Sequence, residues 1–150
     1  MHELELKFAV PSYQQSVLRK NIDTKNAQQQ RLSAYYFDTP NQDLAKKGIA
    51  LRIRFEDSQW VQTLKTAGDG VAKRVELNTV LSLTGTPDNL DVSSLVPDIS
   101  LITEPTVVAQ LTNIMPLDEL AQALTVQYFT DVERTSRQIK KNNSRIEIAY

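Results

Sequence analysis

The sequence contains no cysteine, which excludes disulfides, zinc–thiolate sites and thiol catalysis. Its one histidine is His2, which argues against a Ser-His-Asp triad or a multi-histidine metal centre. No apolar run approaches the ~20 residues of a membrane span, and the chain does not open on a basic-then-apolar signal pattern. The expectation is a soluble, cytoplasmic protein with no membrane partner. An excess of charge of either sign is also missing: 17 Lys and Arg stand against 18 Asp and Glu, a net charge of -1. No global field announces nucleic acid, so any anion site must be a local concentration of Lys and Arg. At 150 residues the chain is expected to form one domain, burying roughly two-thirds of its unfolded surface.

What the sequence does have is alternation. Residues 1–10 read Met-His-Glu-Leu-Glu-Leu-Lys-Phe-Ala-Val. On a strand this puts Leu4, Leu6, Phe8 and Val10 on one face, with Glu3, Glu5 and Lys7 on the other. Carboxylates at i and i+2 lie on the order of 7 Å apart, close enough for oxygen ligation of one divalent cation if the face is enclosed. An open, wet face gives the same pattern with no function.

Further strands are predicted at 31–38, 49–56, 60–66 and 71–81, joined mostly by short turns, which argues an antiparallel sheet or barrel. Helices are predicted at 12–22, capped by Ser12, and at 42–47, stopped by Gly48. The polar tract 23–30 reads as a loop. Residues 82–123 break the strand rhythm, with short amphipathic helices at 106–111 and 117–124 and a helical turn between 91 and 98. Strands resume at 125–140 and 145–150, around a tight turn at Asn142-Asn143.

The strands share one feature. Arg52 and Arg54 alternate with Leu51, Ile53 and Phe55; Lys65 follows on the next strand, then Arg74 with Glu76, and late in the chain Arg134 and Glu147. If helices cover the apolar sides, the charged sides face a common interior. Such an interior must be wet or filled by ligand, because burying unpaired charge costs several kcal/mol per ion. Its natural guest is a chain of phosphates with a hard divalent cation. The alternative is a half-buried sheet whose outer face carries ordinary ion pairs.

Glu3-Leu4-Glu5-Leu6-Lys7 resembles the ExExK signature of the CYTH superfamily, the triphosphate tunnel metalloenzymes. Later blocks follow in the family's order: Tyr36-Phe37-Asp38-Thr39-Pro40, Gly48 to Arg54, and Trp60 to Lys65. Lys73-Arg74-Val75-Glu76, Asp131-Val132-Glu133-Arg134 and Arg145 to Ala149 complete the series. Within the family the likeness is greatest to bacterial inorganic triphosphatases. The resemblance implies an α+β fold: an eight-stranded antiparallel β-barrel, the triphosphate tunnel, with short helices packed outside. It implies that Glu3, Glu5, Glu76 and Glu147 support Mg2+ or Mn2+. Lys7, Arg52, Arg54, Lys65, Arg74 and Arg134 would clamp phosphate oxygens, and Glu5, Lys65 and Glu147 would serve catalysis. The implied reaction is metal-dependent hydrolysis of tripolyphosphate to pyrophosphate and phosphate, on a small-molecule substrate.

Two alternatives stay open at this point. One is an adenylate cyclase or thiamine-triphosphatase of the same superfamily; the other is a non-catalytic polyphosphate- or nucleotide-binding module. In the family the strand at 145–149 is usually followed by an Asp and a closing strand with another acidic pair. Residues 1–150 are therefore expected to form a tunnel domain with about seven of its eight strands. Impaired activity is expected, along with an exposed edge that favours a homodimer by strand pairing.

Overall fold

The computed structural model describes residues 6–22, 26–67 and 75–150. The strands are β1 (Gln28–Asp38), β2 (Ile49–Glu56), β3 (Gln59–Thr66), β4 (Glu76–Leu81), β5 (Thr125–Lys141) and β6 (Ser144–Ala149). They form one six-stranded sheet in the order β4-β3-β2-β1-β5-β6, and the pairs β1–β2, β2–β3, β3–β4 and β5–β6 are antiparallel. The helices are α1 (Gln15–Ile22), α2 (Pro105–Thr112) and α3 (Leu117–Ala123). The chain divides into two compact units, residues 31–132 and residues 1–30 with 133–150.

In the unit of residues 31–132 the alternation does what it predicts. Ile49, Leu51 and Ile53 are buried, while Arg52 and Arg54, which alternate with them, are only partly covered. Tyr35, Phe37, Trp60 and Leu64 extend the same apolar side, and Val107, Leu111 and Leu120 from α2 and α3 close over it. Pro105 sits at the first turn of α2, where its missing N–H costs nothing, and the Glu104 side chain accepts from Thr106 N. Val107 and Leu111, four apart, then share the buried face.

Gln62 is a polar residue on the apolar side of β3. The Gln62 amide is 3 % exposed. It donates from Nε2 to Asp98 O (2.9 Å) and accepts at Oε1 from Asp98 N (2.8 Å), fastening the 95–102 segment to the sheet. Trp60 Nε1 donates to Gly85 O at 3.0 Å, so the polar groups of Gln62 and Trp60 are both satisfied. On β1, Arg31 grips Asp131 (Nη2 to Oδ2, 2.8 Å), and Ser33 Oγ donates to Asp131 Oδ1 at 2.8 Å.

The connection from β1 to β2 is built by a buried carboxyl. Asp38 Oδ1 accepts from Thr39 N (2.7 Å) and Leu44 N (2.9 Å), and Oδ2 accepts from Ala45 N (3.0 Å). The chain then makes a single 3-10 turn, Ala45–Lys47, in place of the helix expected over 42–47. Gly48 ends it in the left-handed region, at φ 68°. A Cβ at Gly48 would lie 2.7 Å from Ala67 Cβ. Gly48→Ala is therefore expected to cost about 2 kcal/mol or more, read as a lower denaturant midpoint with unchanged slope; an unchanged midpoint would contradict the tight turn.

Three other expectations are corrected. Residues 6–10 are irregular, with Leu6 and Phe8 exposed: alternation sorts side chains but supplies no neighbouring strand to hydrogen-bond. The remainder of that proposed strand, including Glu3 and Glu5, lies outside the described residues, as does Arg74. Ser12 lies inside a 3-10 turn that runs into α1, with Pro11 as the N-cap and no side-chain capping bond. Gln28, Gln29 and Gln30, read as loop, begin β1. The hairpin turn at Asp57-Ser58 and the turn at Asn142 stand as predicted, each with positive φ.

Candidate anion-binding face

Opposite the apolar side, the sheet in the unit of residues 31–132 carries a second set of residues fixed by register. Tyr36 lies opposite Arg52, and Arg52 opposite Thr63. Thr63 lies opposite Asn78, and Lys65 opposite Glu76. Because side chains alternate along each strand, Arg52, Arg54, Thr63, Lys65, Glu76 and Asn78 all project from one face.

Their contacts form a network. Lys65 Nζ meets Glu76 Oε2 at 3.0 Å. Asn78 Nδ2 donates to Glu76 Oε1 at 3.2 Å, and Thr63 Oγ1 donates to Asn78 Oδ1 at 2.7 Å. Arg54 pairs with Glu56, two residues on along the same face of β2. Partial burial alone would raise the Glu76 carboxyl. The hydrogen bonds from Lys65 and Asn78, with the charges of Lys65 and Arg52, outweigh it and hold the group below its ordinary value of 4.5.

The sign of the resulting pH dependence follows. A depressed folded value contributes stability above the ordinary carboxylate range, and that contribution fades as pH falls from about 4.5 through the folded value. Glu76→Gln should flatten the acid limb of a stability-against-pH curve. A curve of unchanged steepness below pH 4.5 would contradict the coupling. The pair is nearly half exposed, so the effect is small.

Ion pairs of this exposure occur on ordinary sheet surfaces. What does not is a guanidinium nitrogen that is covered from solvent and has no partner among the described residues. Arg52 Nε and Arg54 Nε are buried and have no hydrogen-bond partner among the described residues. An unmade bond of this kind costs about 1–3 kcal/mol, more for a charged group. Two cationic donors on one face, two residues apart on one strand, are satisfied together by a ligand with several anionic oxygens.

In the unit of residues 1–30 and 133–150, Arg134 pairs with Glu147. Register places β5 against β6, with Gln138 opposite Glu147. Lys7 is exposed on the irregular segment. The structure thus gathers Arg52, Arg54, Lys65 and Glu76 on one face and joins Arg134 to Glu147 within the other unit.

Glu56, Thr63 and Asn78 were missed in the sequence. Glu56 was legible as i+2 from Arg54; Thr63 and Asn78 share the parity of Lys65 and Glu76 but are uncharged. Among the described residues no three Asp, Glu, His or Cys side chains cluster as metal ligands. The carboxylates that this face does carry, Glu76 and Glu56, are already paired with Lys65 and Arg54. No helix among the described residues is long and apolar enough to cross a membrane.

The sequence profile of the CYTH domain family matches residues 1–149. An inorganic triphosphatase from Haemophilus influenzae is 33% identical over 119 residues, covering 77% of this chain and 28% of that relative. The chain therefore spans little more than a quarter of the relative's length. Among solved structures, a proposed adenylate cyclase from Bacillus halodurans superposes with a TM-score of 0.59 at 20% identity, over 93% of this chain and 67% of that one. A Hippeastrum protein proposed as an adenylyl cyclase, and reported to have a dominant triphosphatase activity, gives 0.52 at 17% identity over 93% and 68%. At those identities the likeness is one of fold.

Proposed function

The chain belongs to the CYTH domain family, and from that premise we propose that it hydrolyses inorganic triphosphate to pyrophosphate and phosphate. The observation that carries this reading is the pair of buried guanidinium nitrogens of Arg52 and Arg54, beside Lys65, that have no hydrogen-bond partner among the described residues. A triphosphate supplies closely spaced anionic oxygens in a row, which suits a clamp made of cations on neighbouring strands. The likeness to an inorganic triphosphatase points the same way.

In this reading Arg52, Arg54 and Lys65 bind and orient the phosphates, with Lys7, Arg74 and Arg134 completing the clamp. Lys65 neutralises charge that develops on the transferring phosphoryl group. Glu5 and Glu147 take the remaining catalytic roles, Glu147 by orienting the attacking water in line with the bond that breaks. Glu3, Glu5, Glu76 and Glu147 would hold Mg2+ or Mn2+, which when bound supplies further neutralisation of phosphate charge. Positioning and electrostatics are most of what phosphoryl transfer asks of a protein, in keeping with a chain that has neither cysteine nor more than one histidine.

The test is phosphate release by the intact protein from tripolyphosphate, ATP and thiamine triphosphate, each with and without Mg2+. Release from tripolyphosphate that requires the metal and exceeds release from the other two is the expected result. Binding of tripolyphosphate without any release would leave a binding module instead.

A further inference from the structure

We propose that the β5–β6 hairpin is a docking surface for the phosphate backbone of duplex nucleic acid, gripped by Lys140, Lys141 and Arg145 at its tip. The surface is independent of the triphosphate site: it uses none of the residues assigned to the clamp and belongs to the unit of residues 1–30 and 133–150 alone.

Charge is not shared evenly along the chain. That unit carries nine Lys and Arg against five Asp and Glu, a net charge of +4, whereas the whole chain stands at -1. The near-neutral total thus conceals a local concentration of cations. Register concentrates it further. Lys140 lies directly opposite Arg145, with Lys141 opposite Ser144 beside the turn at Asn142. Like charges that face each other across two strands destabilise the pair. No carboxylate relieves this one: all three side chains are exposed, and none makes an ion pair among the described residues. Glu147, on the same hairpin, is taken by Arg134. The basic surface continues onto α1. Arg137 Nη1 donates to Asn21 O at 3.0 Å, which sets the Arg19–Lys20 end of that helix against β5.

The chemistry of the patch selects the partner. Residues 136–149 contain no aromatic ring on which an unpaired base could stack. Ile146 is the one large apolar side chain exposed there, too little to seat the hairpin in a bilayer. A duplex, with one negative charge per about 1.7 Å of helix axis, meets several such cations at once and needs no base contact.

The test is fluorescence anisotropy of a short labelled DNA duplex, titrated with the chain over a series of salt concentrations. Binding that weakens steeply as salt rises is the expected result. The triple variant Lys140→Ala, Lys141→Ala, Arg145→Ala should reduce the slope of log affinity against log salt by about 2.7, at roughly 0.9 per phosphate contact, and leave tripolyphosphate affinity within about twofold. Arg145→Glu makes a cross-strand ion pair with Lys140, and should lose duplex affinity while its thermal midpoint stays level or rises. No duplex binding by the parent at low salt, an unchanged slope in the triple variant, or a lowered midpoint in Arg145→Glu would overturn the docking surface. So would tighter binding of the single strand than of the duplex, or binding of vesicles rich in anionic lipid without binding of the duplex. A loss of tripolyphosphate affinity in the triple variant as large as its loss for the duplex overturns it too, and assigns the three cations to the clamp.

Discussion

Replacing Arg52 by methionine is expected to weaken tripolyphosphate binding by about 2–4 kcal/mol, roughly 30- to 1000-fold, while leaving the free chain at least as stable as before. The two halves of that expectation have one cause. In the free chain Arg52 Nε is buried and makes no hydrogen bond among the described residues, so its removal takes away little that holds the fold together. In the proposed complex the same nitrogen would gain an anionic partner, and losing it would leave phosphate charge uncompensated. Arg52→Lys keeps the charge but not the planar fork, and should recover only part of the affinity. The comparison is made by calorimetry for affinity and by denaturant unfolding for stability. A surface ion-pair residue would behave in the opposite way, with unchanged affinity and a small loss of stability.

The second large effect belongs to Asp38, which touches no proposed ligand. Asp38→Ala removes the acceptor for three backbone N–H groups, those of Thr39, Leu44 and Ala45. At about 1–3 kcal/mol for each orphaned donor, with partial relief from water, the expected cost is about 3–5 kcal/mol. A chain of this size would then melt roughly 10 °C lower. Asp38→Asn can keep the two bonds at one oxygen and should lose about half as much. This turn sets where β2 begins, and thereby which side Arg52 and Arg54 face. Anion affinity should therefore fall with stability in Asp38→Ala, in contrast to Arg52→Met. A thermal midpoint unchanged in Asp38→Ala would refute the role given to the turn.

The strand pattern was legible where large apolar and charged residues alternate between strong local signals. β2 runs over the predicted residues, stopped on one side by Gly48 and on the other by the Asp57-Ser58 turn. The helices α2 and α3 were legible for the same reason, each with its own proline or apolar spacing. What could not be read depends on partners distant in the chain. Residues 6–10 alternate as well as β2 does, yet form no strand among the described residues. The expected helix over 42–47 shrinks to one 3-10 turn because Gln42 sits in the left-handed region, at φ 58°, and Gly48 does so again at φ 68°. Gln62 looks like a surface residue until Asp98, 36 positions away, is seen to use both ends of its amide.

The ionic face was legible in part for a similar reason. Arg52, Arg54, Lys65 and Glu76 stand out because charge against apolar neighbours marks a side. Thr63 and Asn78 carry no such mark, and only the β3–β4 register shows that they complete the network around Glu76.

The most direct measurement is a crystal structure of the chain with tripolyphosphate and Mn2+. Phosphate oxygens are expected within hydrogen-bond distance of Arg52 Nε, Arg54 Nε and Lys65 Nζ, with all three on the side of the sheet opposite Trp60 and Leu64. Tripolyphosphate bound elsewhere, with those two arginine nitrogens still unpartnered, would contradict it.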